Sequence, residues 1–169
     1  WNTDGLIVIP DDLTPIQFDH LKDLIHVGFP VVMTTSETPE LVTHNAHLVA
    51  VDNAGGIRQA LQHLFQHGHR RIAYIAGKWG HGGDSVERLN AYCEMLRDAG
   101  IEYDARLVAY GEHRMSDGRA AMQMILSSGA EFTALVASND LSLHGALQVL
   151  REQGRRAPKD VAVIGFDDI

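Results

Sequence analysis

The sequence predicts an α/β protein built on parallel sheets with helices on both faces. Three observations predict it. Short β-branched runs alternate with longer segments whose apolar residues recur at helical spacing, the signature of βαβ units. The strand candidates are near-continuous apolar runs, such as Ile72-Ala73-Tyr74-Ile75 and Ala134-Leu135-Val136-Ala137, as burial on both faces requires. The helical segments stop at glycines placed just past the last apolar position.

In order, Leu6-Ile7-Val8-Ile9 reads as a buried strand stopped by Pro10-Asp11-Asp12. A helix follows from Thr14 to Val27, with Ile16, Leu21, Leu24 and Ile25 on one stripe, ended by Gly28. Val31-Val32-Met33 is the second strand and runs into Thr34-Thr35-Ser36. Residues 36–47 have little periodicity and read as a linker or a short, poorly patterned helix. Leu48 to Val51 is the third strand. The helix from about Ala54 to His67 carries Ile57, Leu61, Leu64 and Phe65 on its apolar face, with Gly68 closing it. Ile72 to Ile75 is the fourth strand, followed by a glycine-rich loop from Gly77 to Gly83.

Asp84-Ser85 then caps a helix with Val86, Leu89, Tyr92, Cys93 and Leu96 on one face, closed by Gly100. Leu107 to Tyr110 is the fifth strand, and Ser116 to Ser128 a helix rich in Ala and Met. Ala134 to Ala137 is a strand ending in Ser138-Asn139-Asp140, and Leu141 to Gln153 a helix stopped by Gly154. Val161 to Ile164 is the last strand, ending in Gly165-Phe166-Asp167-Asp168.

Composition narrows the function. The 169 residues are 45% hydrophobic and 21% charged, an ordinary globular balance. With 14 Lys+Arg against 22 Asp+Glu, the formal charge is −8, so the chain has no general electrostatic footprint for nucleic acid. The single cysteine, Cys93, excludes an internal disulfide and a Cys-based zinc site, and its helical position places it in the core. No apolar run reaches the roughly 18 residues of a membrane helix. The start at Trp1, with neither an initiator Met nor a signal-like run, reads as an excised piece.

In open parallel sheets, ligands bind beyond the carboxyl ends of the strands. Here those ends carry Asp11-Asp12, Thr34-Thr35-Ser36, Asp52-Asn53, the glycine loop with Trp79, Asn139-Asp140 and Asp167-Asp168. Carboxylates, amides and hydroxyls with one aromatic suit a neutral polyhydroxylated ligand. Each of them also suits a turn or a helix cap. The loop at Gly77 follows neither G-x-x-x-x-G-K-[ST] nor G-x-G-x-x-G, so no nucleotide cofactor is expected. His63, His67 and His69 lack an acidic partner in metal-ligand spacing and read as surface histidines near a helix C-terminus. No G-x-S-x-G elbow occurs, and no enzymatic activity is expected. Asp11-Asp12 with Asp167-Asp168 leave open a Mg²⁺-dependent phospho-acceptor receiver domain.

Several stretches resemble the lactose-repressor (LacI/GalR) family. They are Val51-Asp52-Asn53, His63-Leu64, Gly68-His69-Arg70-Arg71-Ile72-Ala73-Tyr74-Ile75-Ala76-Gly77, Glu87-Arg88-Leu89, Ala99-Gly100-Ile101, residues 133–140 and residues 161–169. The resemblance covers essentially the whole chain in order and spacing. It implies a periplasmic-binding-protein-like fold of two doubly wound parallel-sheet lobes, here truncated at both ends. Residues 1–52 would be a partial N-terminal lobe and 53–169 most of the C-terminal lobe.

The resemblance further implies a cytoplasmic, homodimeric transcriptional regulator. Its effector, a small polar molecule of the sugar or nucleoside kind, binds between the lobes, and a helix-turn-helix outside this chain binds operator DNA. By residue, it implies that Arg88 donates to ligand hydroxyls, that Asn139 lines the cleft, and that Asp167 accepts from the ligand. Thr35 and Trp79 complete the candidate ligand-binding set. Asp140 would cap the following helix and Asp168 would support the hinge. The chain departs from the family pattern at Thr34-Thr35-Ser36, where Asp-Arg is common, and at Ala91-Tyr92. A sensor domain of the same fold feeding a kinase or cyclase remains an alternative.

Overall fold

The computed structural model describes residues 3–9, 15–34, 47–77 and 83–169. The chain forms two compact units, residues 1–52 with 82–84 and residues 53–81 with 85–169.

The smaller unit contains β1 (Leu6–Val8), α1 (Pro15–His26), β2 (Val31–Thr34) and β3 (His47–Val49). Its strands pair in parallel in the order β1-β2-β3, with Val32 opposite Ile7 and His47. Leu21, Val31 and Met33 form the buried centre, with Leu6, Val8, Phe18, Leu24 and Leu48 packed around it. The third strand ends two residues earlier than the apolar run suggests. Val49, on the edge strand, and Val51, just beyond it, are mostly exposed, so their β-branching is not matched by burial. Ile7, Ile9, Ile16 and Val27 are likewise mostly exposed.

The larger unit contains α2 (Asn53–Gln66), β4 (Ile72–Ala76), α3 (Asp84–Asp98), a 3₁₀ turn (Ala105–Leu107), β5 (Val108–Tyr110), α4 (Met115–Ser127), β6 (Ala134–Ala137), α5 (Asp140–Glu152) and β7 (Ala162–Ile164). The four strands are parallel in the order β5-β4-β6-β7. The two central strands, β4 and β6, are buried at every position. The strand period of two sends alternate side chains to opposite faces. Ala73, Ile75, Leu135 and Ala137 meet Ala121, Met122, Ile125, Ala146, Val149 and Leu150 from α4 and α5. Ile72, Tyr74, Ala76, Ala134 and Val136 meet Ile57, Leu61, Leu64, Tyr92 and Leu96 from α2 and α3. This is the doubly wound arrangement the alternation predicts.

The two helix pairs pack differently. Between α2 and α3, large side chains fill the layer, and Tyr92 stacks on Tyr74 at 4.6 Å while its hydroxyl donates to the Ile72 carbonyl at 2.9 Å. Between α4 and α5 the backbones themselves meet. A Cβ on Gly118 would lie 2.0 Å from the Ser142 carbonyl oxygen, and one on Gly145 would lie 2.0 Å from that of Met115.

Leu107, which the apolar run places in the fifth strand, instead ends the 3₁₀ turn. That turn is capped by Asp104, whose Oδ1 accepts from the Arg106 amide at 3.1 Å. The same carboxylate accepts from the Arg106 side chain at 2.9 and 2.8 Å and from Arg71 at 2.9 Å, tying the approach to β5 to the approach to β4. These hydrogen bonds, from Arg106 first, hold its pKa well below the usual carboxylate range. A depressed folded pKa means the contribution is complete above the unfolded value, about 3.9, and is lost as pH falls through the folded one. Asp104→Asn is therefore expected to shallow the fall in melting temperature below about pH 4. Thermal melts of both proteins from pH 7 to pH 2 check this, and parallel curves would contradict it.

Candidate ligand site at the carboxyl edge of the larger sheet

The strand order locates the site before any side chain is considered. From β4 the chain moves to one side to form β5, then returns past β4 to form β6 on the other side. The connections after β4 and β6 therefore diverge, and the crevice at their carboxyl ends is the topological switch point of the sheet. Gly77 follows β4 and Ser138-Asn139 follow β6, while Gly111 and the 165–168 segment follow the outer strands. The ladder runs cleanly to this edge, with the Ser138 amide on the Ile75 carbonyl at 2.8 Å and the Gly111 amide on that of Ala76 at 2.9 Å.

Arg88 is at the centre. It stands in the second turn of α3 and is only 6% exposed. A buried guanidinium must be hydrogen-bonded. Its Nε donates to Asn53 Oδ1 at 2.8 Å, and one terminal nitrogen donates to the Ser138 carbonyl. The guanidinium carbon lies 3.7 Å from the centroid of the Phe166 ring, a cation–π contact. Phe166 fits there because α2 has no side chain at Gly56, where a Cβ would come within 2.5 Å of the ring.

Asp167 is the second member. Its Oδ1 is 3.8 Å from the same Arg88 nitrogen, an ion-pair contact longer than a direct hydrogen bond, and its side chain is 39% exposed. Asp167 and Asp168 both have left-handed backbones, with φ of 100° and 62°. The segment is fixed by Asp140, whose amide donates to the Phe166 carbonyl at 2.9 Å and whose carboxylate accepts from the Ile169 amide at 3.0 Å.

Asn139 is the third, and it takes the capping role expected of Asp140. Its Oδ1 accepts from the Ser142 amide at 3.0 Å, so Asn139 is the N-cap of α5 and Asp140 is the first helical residue. Either side chain can cap; the position where β6 ends decides which one does. The Asn139 amide also donates to the His113 carbonyl at 3.0 Å. One lone pair and one N–H of the carboxamide lie outside these two bonds.

Arg88, Asn139 and Asp167 thus meet at one edge of one sheet. Thr35 and Trp79 lie outside the described residues, as do Asp11, Asp12 and the 36–46 stretch of uncertain periodicity.

Sequence reasoning missed the roles of three contributors. Asn53, placed with Asp52 on the ligand-facing strand-end edge but given no role of its own, is 1% exposed and bonded to Arg88. Ser85 and His113 form a pair at 2.8 Å beside Gly77, where a Cβ would collide with both. His113 has φ of 63°, which turns the chain back over this edge after β5. The signal available for His113 was its position just past the fifth strand. Ser138 Oγ and Tyr74 Oη are buried, with no hydrogen-bond partner among the described residues. Burial pushes the Tyr74 hydroxyl pKa up, against the opposing pull of Arg88.

Elsewhere, Cys93 is half-buried rather than in the core. Its thiol pKa is pushed up by burial and by Glu94. It borders an open cavity of about 390 Å³ between the end of α3 and Tyr103, at the opposite end of the strands. Among the described residues no group of three or more His, Cys, Asp or Glu side chains is placed to hold a metal, and no helix is long and apolar enough to cross a membrane.

The sequence profile described as a periplasmic binding protein-like domain matches residues 61–169. The HTH-type transcriptional regulator CelR of Thermobifida fusca is 50% identical over 120 residues, covering 71% of this chain and 35% of that protein. The HTH-type transcriptional regulator AscG of Escherichia coli K12 is 34% identical over 166 residues, covering 98% of this chain and 48% of that protein. A solved structure described as a CelR–cellobiose complex superposes with a TM-score of 0.80 at 39% identity, covering 98% of this chain and 49% of that one. The chain thus spans half or less of the length of these relatives.

Proposed function

This chain belongs to the LacI/GalR family of transcriptional regulators through its periplasmic binding protein-like domain, and from that premise we propose that it senses an uncharged sugar. The observation that carries the reading is the pairing of Arg88, a pure donor, with Asp167, a pure acceptor, 3.8 Å apart at the switch point of the sheet. A hydroxyl group accepts from the one and donates to the other, so a ring bearing adjacent hydroxyls satisfies both. Asn139 contributes its remaining lone pair and N–H, and the Ser85–His113 pair contributes a hydroxyl and an imidazole beside Gly77. The expected roles of Thr35 and Trp79 stay part of the proposal.

In this reading the domain performs no chemistry. Effector binding selects one arrangement of the protein over another, and the difference in affinity between the two sets the size of the response. The response is delivered to operator DNA by a helix-turn-helix in a homodimeric cytoplasmic regulator. Residues 1–52 serve as part of the N-terminal lobe and 53–169 as most of the C-terminal lobe. The similarity to a regulator solved with cellobiose makes cellobiose the first probe.

Calorimetric titration of the intact protein with cellobiose, D-glucose and D-glucose 6-phosphate tests the ligand class. Binding of a neutral sugar in preference to the phosphate is expected, because Asp167 beside the site repels a dianion. A sugar phosphate bound much more tightly than its parent sugar would overturn the reading.

A further inference from the structure

We infer that Asn53 is a positioning residue that holds the Arg88 guanidinium in the orientation used for effector recognition, with Glu87 setting the direction of the Asn53 amide. The inference rests on the reading above that Arg88 faces the effector.

Asn53 is the residue at which the chain enters the larger unit and the first residue of α2. An asparagine at a helix start is ordinarily at the surface, where it caps. Here it is 1% exposed. Burying a carboxamide is unfavourable unless both ends are hydrogen-bonded. Both ends are. Asn53 Nδ2 donates to Glu87 Oε2 at 3.0 Å, and Asn53 Oδ1 accepts from Arg88 Nε at 2.8 Å.

The three side chains define one another's roles. A carboxylate only accepts and a guanidinium only donates, so the amide between them can stand in only one orientation. Glu87 captures the NH₂ end, and the oxygen is thereby turned toward Arg88. The bond to Nε constrains the guanidinium plane, because Nε is the one nitrogen fixed to the side-chain stem. Phe166, 3.7 Å away, bounds the face of that plane. The terminal nitrogen is left directed at the Ser138 carbonyl and toward Asp167. Asn53 thus acts on the site through Arg88 and not by touching the ligand.

The test compares N53A with the pair N53D and N53D/E87Q in the intact protein, using cellobiose as probe. N53A removes both bonds and is expected to weaken binding roughly tenfold or more, the scale of one charge-assisted hydrogen bond. N53D keeps an acceptor for Arg88 but sets a carboxylate against Glu87. N53D/E87Q reverses the donor and acceptor of the second bond, a glutamine amide now donating to the new carboxylate. It is expected to recover affinity to within about threefold of the parent. A purely structural role would lower the melting temperature of N53A without this recovery.

The Arg88 Nε–H resonance provides a readout that needs no ligand. It is expected to exchange slowly in the parent, quickly in N53A and slowly again in N53D/E87Q. If the parent binds no cellobiose, the ligand assignment fails and the resonance alone decides the positioning role. Wild-type affinity and an unchanged Nε–H signal in N53A would overturn the inference, as would an N53D/E87Q protein that binds no better than N53A.

Discussion

Gly145→Ala is expected to lower the melting temperature by roughly 10 °C, the equivalent of about 3 kcal/mol for a chain of this size. In an exposed helix the same exchange would stabilise by up to about 1 kcal/mol, because alanine is the better helix former. Here the added Cβ would sit 2.0 Å from the Met115 carbonyl oxygen and 2.7 Å from the Arg119 nitrogen. Both are backbone atoms inside α4, so no rotamer change relieves the overlap and the helices must separate. Separation opens the layer formed by Ala121, Met122, Ala146 and Val149, which are buried to within 2%.

Gly118→Ala meets the Ser142 backbone from the other side and is expected to have a similar effect. The double variant should fall well short of the sum, since one displacement relieves both contacts. Thermal melts of the three proteins check this, and a loss under about 2 °C in either single variant would contradict the close crossing.

The second large effect concerns the ligand. Asp167→Gly is expected to weaken sugar binding a hundredfold or more while leaving the melting temperature almost unchanged. Two charge-assisted bonds from ligand hydroxyls, each worth roughly 1.5–3 kcal/mol, set the first figure. The backbone sets the second. With φ of 100°, residue 167 occupies a region that strains any side chain. Alanine there would retain the strain and confuse the two effects. Glycine relieves it at a conformational-entropy cost of similar size, so stability should move by no more than about 1 kcal/mol. Paired melts and calorimetric titrations separate the outcomes. A variant that melts several degrees lower yet binds sugar normally would make Asp167 a brace for the C-terminal turn.

The sheet was legible in the sequence because its chemistry is local. Ile72 to Ile75 and Ala134 to Ala137 announce themselves by unbroken apolarity, and the structure buries every one of those residues. Boundaries were less so. Leu107 is buried in either reading, and only the Asp104 cap makes it the end of a turn. The capping choice between Asn139 and Asp140 had two chemically adequate answers.

The site was legible as an edge but not as a network. Nothing near Arg88 in the chain shows that it is buried. The aromatic face that covers it belongs to Phe166, and the space for that ring is provided by Gly56, far away in sequence. Asn53 and His113 were hidden for the same reason. Their roles depend on which strand ends lie side by side, and that follows from the strand order rather than from any motif.

The full burial of β4 and β6 has a temporal consequence. An amide proton there can exchange with solvent only when neighbouring strands and both helix layers come apart together. The slowest-exchanging protons of the chain should therefore cluster at Ala73–Ile75 and Leu135–Val136. Among the described residues, the three short strands of the smaller unit rest on a centre of Leu21, Val31 and Met33. Val32 and Met33 should lose their protection earlier, through openings that leave the larger sheet intact. The chain then holds two clocks, and the slower one belongs to the sheet that carries Arg88.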